Sequence, residues 1–202
     1  MVVQVYSVTL AGFGVVYSDD DGATWTYAPA DNYSTGATAE SQIVEMPDGS
    51  LKAYIRTSSS YVSERTSIDG GVTWSTATAV SGISTTAYGT QLSVINYSGL
   101  IDGSPALIMS TPNSTSGRNT GVIKVGVITD TGETGADKYS VDWRYTYQID
   151  GSVGFSYSCL AELPNGNIGI LYEKYDSWSR GQLHLKNVLP FETYTINQII
   201  GS

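Results

Sequence analysis

The chain carries one β-hairpin written twice. Glu40-Ser-Gln-Ile-Val-Glu-Met-Pro-Asp-Gly-Ser-Leu-Lys-Ala-Tyr-Ile-Arg56 aligns without a gap onto Tyr157-Ser-Cys-Leu-Ala-Glu-Leu-Pro-Asn-Gly-Asn-Ile-Gly-Ile-Leu-Tyr-Glu173. Each copy runs apolar residues into Asp48-Gly49 or Asn165-Gly166, and such a dipeptide between alternating hydrophobics is the strongest short-range hairpin signal. Counting outward from the turn with Met46 opposite Ser50 brings Glu40 opposite Arg56. The same count brings Tyr157 opposite Glu173, to within one position if a bulge shifts the register. One copy therefore sets a carboxylate beside a guanidinium, and the other a phenol beside a carboxylate.

A second repeat overlies the first. Ser18-Asp-Asp-Asp-Gly-Ala-Thr-Trp25 and Ser67-Ile-Asp-Gly-Gly-Val-Thr-Trp74 share the spacing S-x-D-x-G-x-T-W and start 49 residues apart. In such a turn Asp20 or Asp69 accepts local amide hydrogen bonds, Gly22 or Gly71 takes the positive φ, and Trp25 or Trp74 covers the sheet. The period is near the roughly 40–50 residues of a four-stranded propeller blade, and 202 residues hold about four of them. Fifteen Tyr and 22 Gly, with no sustained helical spacing of apolar residues, agree with an all-β chain lacking any helix longer than two turns. Strands are expected at 13–18, 42–46, 51–56, 91–96, 105–110, 120–128, 158–163, 167–173 and 182–188, with loops at 26–39, 111–119 and 129–140.

Charge and composition exclude several function classes. A formal charge of −9 with only ten scattered Lys and Arg opposes binding to a nucleic-acid backbone or an anionic membrane. No apolar run reaches the length of a membrane span, so no membrane insertion is expected, and the first six residues are too short and uncharged for a signal peptide. The single cysteine, Cys159, excludes an internal disulfide and reads as a buried core thiol on the face of Tyr157. The single histidine, His184, has no second His or Cys with which to hold a metal, and Asp19-Asp20-Asp21-Gly22 lacks the glutamate that closes a calcium loop. No metal and no cofactor are expected. Sequons occur at Asn32, Asn96 and Asn113.

The two S-x-D-x-G-x-T-W boxes, the Glu40–Arg56 segment, Arg118 in Asn113-Ser-Thr-Ser-Gly-Arg118, and Phe155-Ser-Tyr157 followed by Leu171-Tyr-Glu173 together resemble the bacterial sialidases, the exo-α-sialidases or neuraminidases. Ser177-Trp-Ser-Arg180 and His184-Leu-Lys-Asn resemble the closing strand of that family's catalytic domain. The resemblance covers nearly the whole chain. It implies a six-bladed β-propeller of which residues 1–202 are the C-terminal part, supplying about four blades with boxes at 18–25 and 67–74.

The resemblance also implies roles. Tyr157 is the nucleophile that forms a covalent glycosyl-tyrosine, in keeping with sialidases being the tyrosine-using exceptions among glycosidases. Glu40 is its base, because a phenol with pKa near 10 is a weak nucleophile at neutral pH. Arg56 and Arg118 grip the carboxylate of sialic acid, and Glu173 orients an arginine of that cluster. Tyr88 and Gln91 contact the sugar's glycerol or N-acyl groups. The implied partners are sialylated glycans or glycoproteins, and the implied location is secreted or cell-surface. Nothing before Ser18 resembles the family's first blades, which bring another arginine and the aspartate general acid/base, so a separate N-terminal part is expected to complete the site. Two alternatives remain open: a non-catalytic sialic-acid- or glycan-binding propeller, and a self-contained four-bladed structural or adhesion propeller.

Overall fold

The computed structural model describes residues 1–7, 12–29, 37–175, 178–179, 182–183 and 189–201. Its architecture is almost entirely antiparallel sheet. Strands β1 (Val2–Ser7), β2 (Gly12–Tyr17) and β3 (Thr26–Pro29) form the first sheet. Strands β4 (Ala37–Glu45), β5 (Leu51–Thr57), β6 (Tyr61–Ser67) and β7 (Thr78–Ser84) form the second, paired in sequence order. The third is continuous from β8 (Ser93–Ile101) through β9 (Ser104–Pro112), β10 (Asn119–Asp130), β11 (Tyr139–Glu162) and β12 (Ile168–Tyr175). Trp178–Ser179 (β13) and Gln182–Leu183 (β14) pair with each other, and β15 (Phe191–Tyr194) completes the third sheet beside β12.

The 24-residue β11 serves two blades. From Tyr139 to Asp150 it pairs with β10, at Gly154 it meets both Asn119 of β10 and Tyr175 of β12, and beyond that it pairs with β12. Packing confirms that count. Three apolar clusters lie between four successive layers: Phe13 and Val15 against Ile55 and Trp74; Tyr54 and Val80 against Met109 and Trp143; Ile108 and Ile123 against Leu160 and Ile170. Edge-to-face pairs tie the first two interfaces, Phe13 with Trp74 at 5.0 Å and Tyr54 with Trp143 at 5.6 Å, a geometry worth about 0.5–1.5 kcal/mol beyond area burial. The short helix α1 (Ile196–Ile200) closes the third cluster with Ile199, its N-terminus held by a reciprocal Thr195–Gln198 capping box.

The first strand of each blade lines up beside the next through polar bonds. Ser41 Oγ donates to Gln4 Oε1 at 2.9 Å, and Asn96 Nδ2 donates to the Glu45 carbonyl at 2.7 Å. The Leu160 amide donates to Ser93 Oγ at 3.0 Å, and the Ser98 amide to Glu162 at 2.8 Å. These bonds cover the inner strand edges, which would otherwise present unpaired backbone. The Asn96 sequon is thus spent between blades, while Asn32 lies outside the described residues, as do Arg180 and His184.

Both repeated boxes fold alike. In each, the Ser18 or Ser67 hydroxyl donates to the Asp20 or Asp69 carboxylate at 2.8 Å, and that carboxylate takes the Thr24 or Thr73 amide at 2.8 Å. Gly22 and Gly71 have φ of 89° and 96°. Trp74 is buried in the first interface as expected, whereas Trp25 is exposed: among the described residues no strand packs over its side of the first sheet.

Two further expectations are corrected. Residues 26–39 are not simply a loop, because Thr26–Pro29 and the segment from Ala37 are strands. Cys159 is exposed rather than buried: Ser158 and Leu160 point into the core, so Cys159 between them points out. It belongs to a cross-strand ladder, Cys159–Leu171–Phe191, on the open face of the last blade, and Val3–Val16–Tyr27 forms a matching ladder on the open face of the first. Leu171, Phe191, Val3 and Tyr27 are all exposed.

Candidate active site

The two hairpins deliver their outer ends to one place. Both turns close identically, with the Met46 and Leu163 amides donating to the Ser50 and Asn167 carbonyls at 2.8 Å. The pairing Ser41↔Ile55 carries Glu40 to Arg56, and their side chains meet, Arg56 Nη1 lying 2.5 Å from Glu40 Oε2. In the second copy the register steps from Phe155↔Lys174 to Ser158↔Tyr172, so Ser156 and Tyr157 together oppose Glu173. That bulge bends β11 and turns Tyr157 toward Glu40.

The phenol is the centre of the site. Tyr157 Oη donates to Glu40 Oε1 at 2.8 Å and accepts from Arg56 Nη1 at 3.0 Å. Arg118, from the loop before β10, lies over the Tyr157 ring with Cζ 5.4 Å from its centroid, a cation–π distance. Burial raises the Tyr157 pKa above its ordinary value, and the hydrogen bond to the Glu40 carboxylate raises it further, while Arg56 pulls the other way. The phenol therefore holds its proton at neutral pH, on a hydrogen bond to the Glu40 carboxylate.

Both arginines are fixed by backbone and hydroxyl acceptors. Arg56 Nη2 donates to the Tyr88 carbonyl at 3.0 Å. Arg118 donates to Ser156 Oγ at 3.1 Å and to the Gly89 carbonyl at 3.3 Å. The sequence does not single out Ser156 or Gly89; a serine beside Tyr157 and a glycine in Ala87-Tyr-Gly-Thr90 are the only signals it carries.

Two expected residues sit at the site in different postures. Gln91 has spent its amide: Oε1 accepts from the Ser158 amide at 2.9 Å, and Nε2 donates to the Ser158 and Leu92 carbonyls at 3.0 and 2.7 Å. It braces the strand immediately after Tyr157. Glu173 accepts from the Tyr157 amide at 3.4 Å and pairs with neither Arg56 nor Arg118 among the described residues. An open depression beside Tyr157 is walled by Gln91, Cys159, Leu171 and Glu173. A larger groove between the second and third blades, along Lys52, Glu64 and Tyr139, contains none of these residues. No group of three or more metal-ligating side chains occurs among the described residues.

Residues 9–170 match the BNR repeat-like domain. The chain belongs to the BNR repeat-like family. This BNR repeat-like chain is 61% identical over all of its 202 residues to the anhydrosialidase of Macrobdella decora, covering 26% of that protein. It is 47% identical over 183 residues to sialidase B of Streptococcus pneumoniae serotype 4, a match that covers 90% of the chain and 25% of the relative. Among solved structures, the intramolecular trans-sialidase of Ruminococcus gnavus in complex with oseltamivir carboxylate superposes with a TM-score of 0.92 at 57% identity, over 98% of this chain and 41% of that one. The BNR repeat-like chain is thus a homologue of the sialidases, has the fold of part of their propeller, and spans about a quarter of the length of the curated relatives it matches.

Proposed function

We propose that this chain supplies the nucleophile, its base and two carboxylate-binding arginines of an exo-α-sialidase centre. The observation that carries the proposal is the Glu40–Tyr157–Arg56 contact, with the phenol proton on a 2.8 Å bond to a carboxylate and a guanidinium on the same oxygen. Sialic acid bears a carboxylate on its anomeric carbon, so a carboxylate nucleophile would be repelled and a neutral phenol is not. Arg56 and Arg118 bind the substrate carboxylate through paired N–H donors. Tyr157 Oη attacks the anomeric carbon, its proton passes to Glu40, the glycosidic C–O bond breaks, and a general acid protonates the departing oxygen. An oxygen nucleophile then displaces the tyrosine, giving its proton to the conjugate base of that general acid, while the tyrosine recovers its own proton from Glu40. Two displacements retain configuration at the anomeric carbon.

The general acid and a third arginine come from further blades, in an N-terminal part that completes the ring. The two exposed apolar ladders, Val3–Val16–Tyr27 and Cys159–Leu171–Phe191, support this, because monomeric proteins seldom leave such faces open. The substrates are sialylated glycans, and the enzyme acts outside the cell. Among the described residues no helix is long and apolar enough to cross a membrane. The relatives named anhydrosialidase and intramolecular trans-sialidase favour an internal anhydro product, in which a hydroxyl of the sugar's own side chain, rather than water, performs the second displacement.

The test is turnover of a sialoside by the full-length protein, with the product weighed and Tyr157→Phe as control. Release of a sugar one water lighter than sialic acid, abolished by the substitution, supports the proposal. Sialoside binding that survives Tyr157→Phe, with no turnover by either protein, identifies a binding module instead.

A further inference from the structure

We propose that the turn Thr86–Gly89 is the positioning element of the arginine pair, and that Gly89 is the residue that lets it act. The inference rests on the reading that Arg56 and Arg118 bind a substrate carboxylate. Arg56 is carried by β5 of the second blade, and Arg118 by the loop before β10 of the third. Two guanidinium groups of like charge repel, and Glu40 and Ser156 each anchor only one of them, so a further element is needed to hold both on one tyrosine. The carbonyls of successive residues do so: Tyr88 accepts from Arg56 Nη2 at 3.0 Å, and Gly89 accepts from Arg118 Nη2 at 3.3 Å. One short stretch of backbone therefore places negative dipole on both cations and sets the spacing between them.

The turn itself is firmly built. The Gly89 amide donates to the Thr86 carbonyl at 2.8 Å, and the Tyr88 amide donates to Thr86 Oγ1 at 3.1 Å. The Thr85 amide donates to the Ser60 carbonyl at 3.2 Å, tying the turn to the second blade, and Thr85 and Thr86 are buried. Gly89 has φ of 60°, and a Cβ there would lie 2.1 Å from the Thr57 carbonyl oxygen and 2.8 Å from Arg56 Cγ. The first is backbone and cannot yield; the second is the stem of the arginine being positioned. Any side chain at 89 pushes the turn away from Arg56 and carries both carbonyls off their guanidinium groups.

Gly103 provides an internal control. Its φ is 79° and a Cβ there meets nothing within 4 Å, so Gly103→Ala imposes the same left-handed strain without touching an arginine. The experiment is calorimetric titration of the full-length protein with oseltamivir carboxylate, well below the melting temperature of each variant. Gly89→Ala is expected to weaken binding roughly ten- to a hundred-fold, the range for losing one or two charge-assisted hydrogen bonds. Gly103→Ala is expected to leave it within about two-fold. Thr86→Val, which removes the hydroxyl that holds the Tyr88 amide, is expected to weaken binding in the same direction, and Thr86→Ser to restore it. Should Gly89→Ala fail to fold, the threonine pair decides. Binding unchanged in Gly89→Ala or in Thr86→Val, or weakened equally in Gly103→Ala, overturns the inference. Absence of binding by the unsubstituted protein overturns the functional reading and this inference with it.

Discussion

Replacing Gln91 by Ala removes three hydrogen bonds at once, two of them to the backbone of Ser158. A typical net contribution is about 0.5–1.5 kcal/mol per bond, and a buried group left unpaired costs about 1–3 kcal/mol. Ser158 is buried, but Gln91 borders the open depression beside Tyr157, so water relieves part of that penalty. The expected destabilisation is about 2–4 kcal/mol. For a folding unit of this size that lowers the melting temperature by about 4–16 °C. Because Ser158 directly follows Tyr157, the proposed nucleophile, turnover is expected to fall as well. Gln91→Glu sharpens the test: it keeps the acceptor for the Ser158 amide but faces the Leu92 and Ser158 carbonyls with lone pairs, so it should be at least as destabilising. Thermal melts and initial rates of the full-length protein measure both effects. If Gln91→Ala melts within about 1 °C of the parent and turns over at the parent rate, the brace does not exist and Gln91 is free to meet the sugar.

Gly121→Ala should lower both stability and turnover. Its Cβ would lie 2.2 Å from Phe155 Cδ2, and that buried ring is stacked on Tyr172 at 5.0 Å with no room to retreat; overpacking of this kind costs about 1–3 kcal/mol, and Phe155 leads into the Ser156–Tyr157 bulge, so unchanged melting and rate would contradict the packing described. Acid should loosen the two repeated boxes. Hydrogen bonds from Thr24 and Ser18 lower the Asp20 pKa from 3.8 to about 2. For Asp69, burial raises the pKa, but hydrogen bonds from Thr73 and Ser67 outweigh it and leave the value lowered. A carboxyl depressed in the folded state contributes stability above its ordinary pKa and loses it as pH falls toward the depressed value, so melting temperature should drop between pH 3.8 and about 2, and Asp20→Asn with Asp69→Asn should flatten that limb of the pH profile.

The parts legible in the sequence were those fixed by local chemistry. Asp48-Gly49 and Asn165-Gly166 set two turns, the turns set two registers, and the registers brought Glu40 to Arg56 and Tyr157 opposite Glu173. The box spacing likewise prescribes its own hydrogen bonds. Strand β11 was underestimated because its second function, as inner strand of the next blade, depends on pairing with β12 and not on its own alternation. The capping box Thr195-Ile-Asn-Gln198 opens a helix of only five residues, too short for an apolar period to mark it in the sequence. Cys159 was assigned the wrong side because the bulge at Ser156–Tyr157 reverses which alternate residues face the core. Gln91 and Glu173 both lie beside Tyr157, with Gln91 bonded to the Ser158 backbone and Glu173 to the Tyr157 amide. What each side chain touches was decided by which backbone groups of β11 had no strand beside them, a property of the assembled edge that no local pattern records.

The central claim is that Tyr157 becomes covalently attached to the sugar. In 2,3-difluorosialic acid the fluorine on the anomeric carbon is a good leaving group, while the neighbouring fluorine destabilises the positive charge of the second transition state, so an enzyme of this type should accumulate its glycosyl intermediate. The decisive measurement is the intact mass of the full-length protein after incubation with this compound, followed by peptide mapping. The account requires a mass increase of one fluorosialyl group, located on Tyr157 and absent from Tyr157→Phe. Adduct formation on another residue, or turnover of a sialoside by Tyr157→Phe at the parent rate, would contradict it.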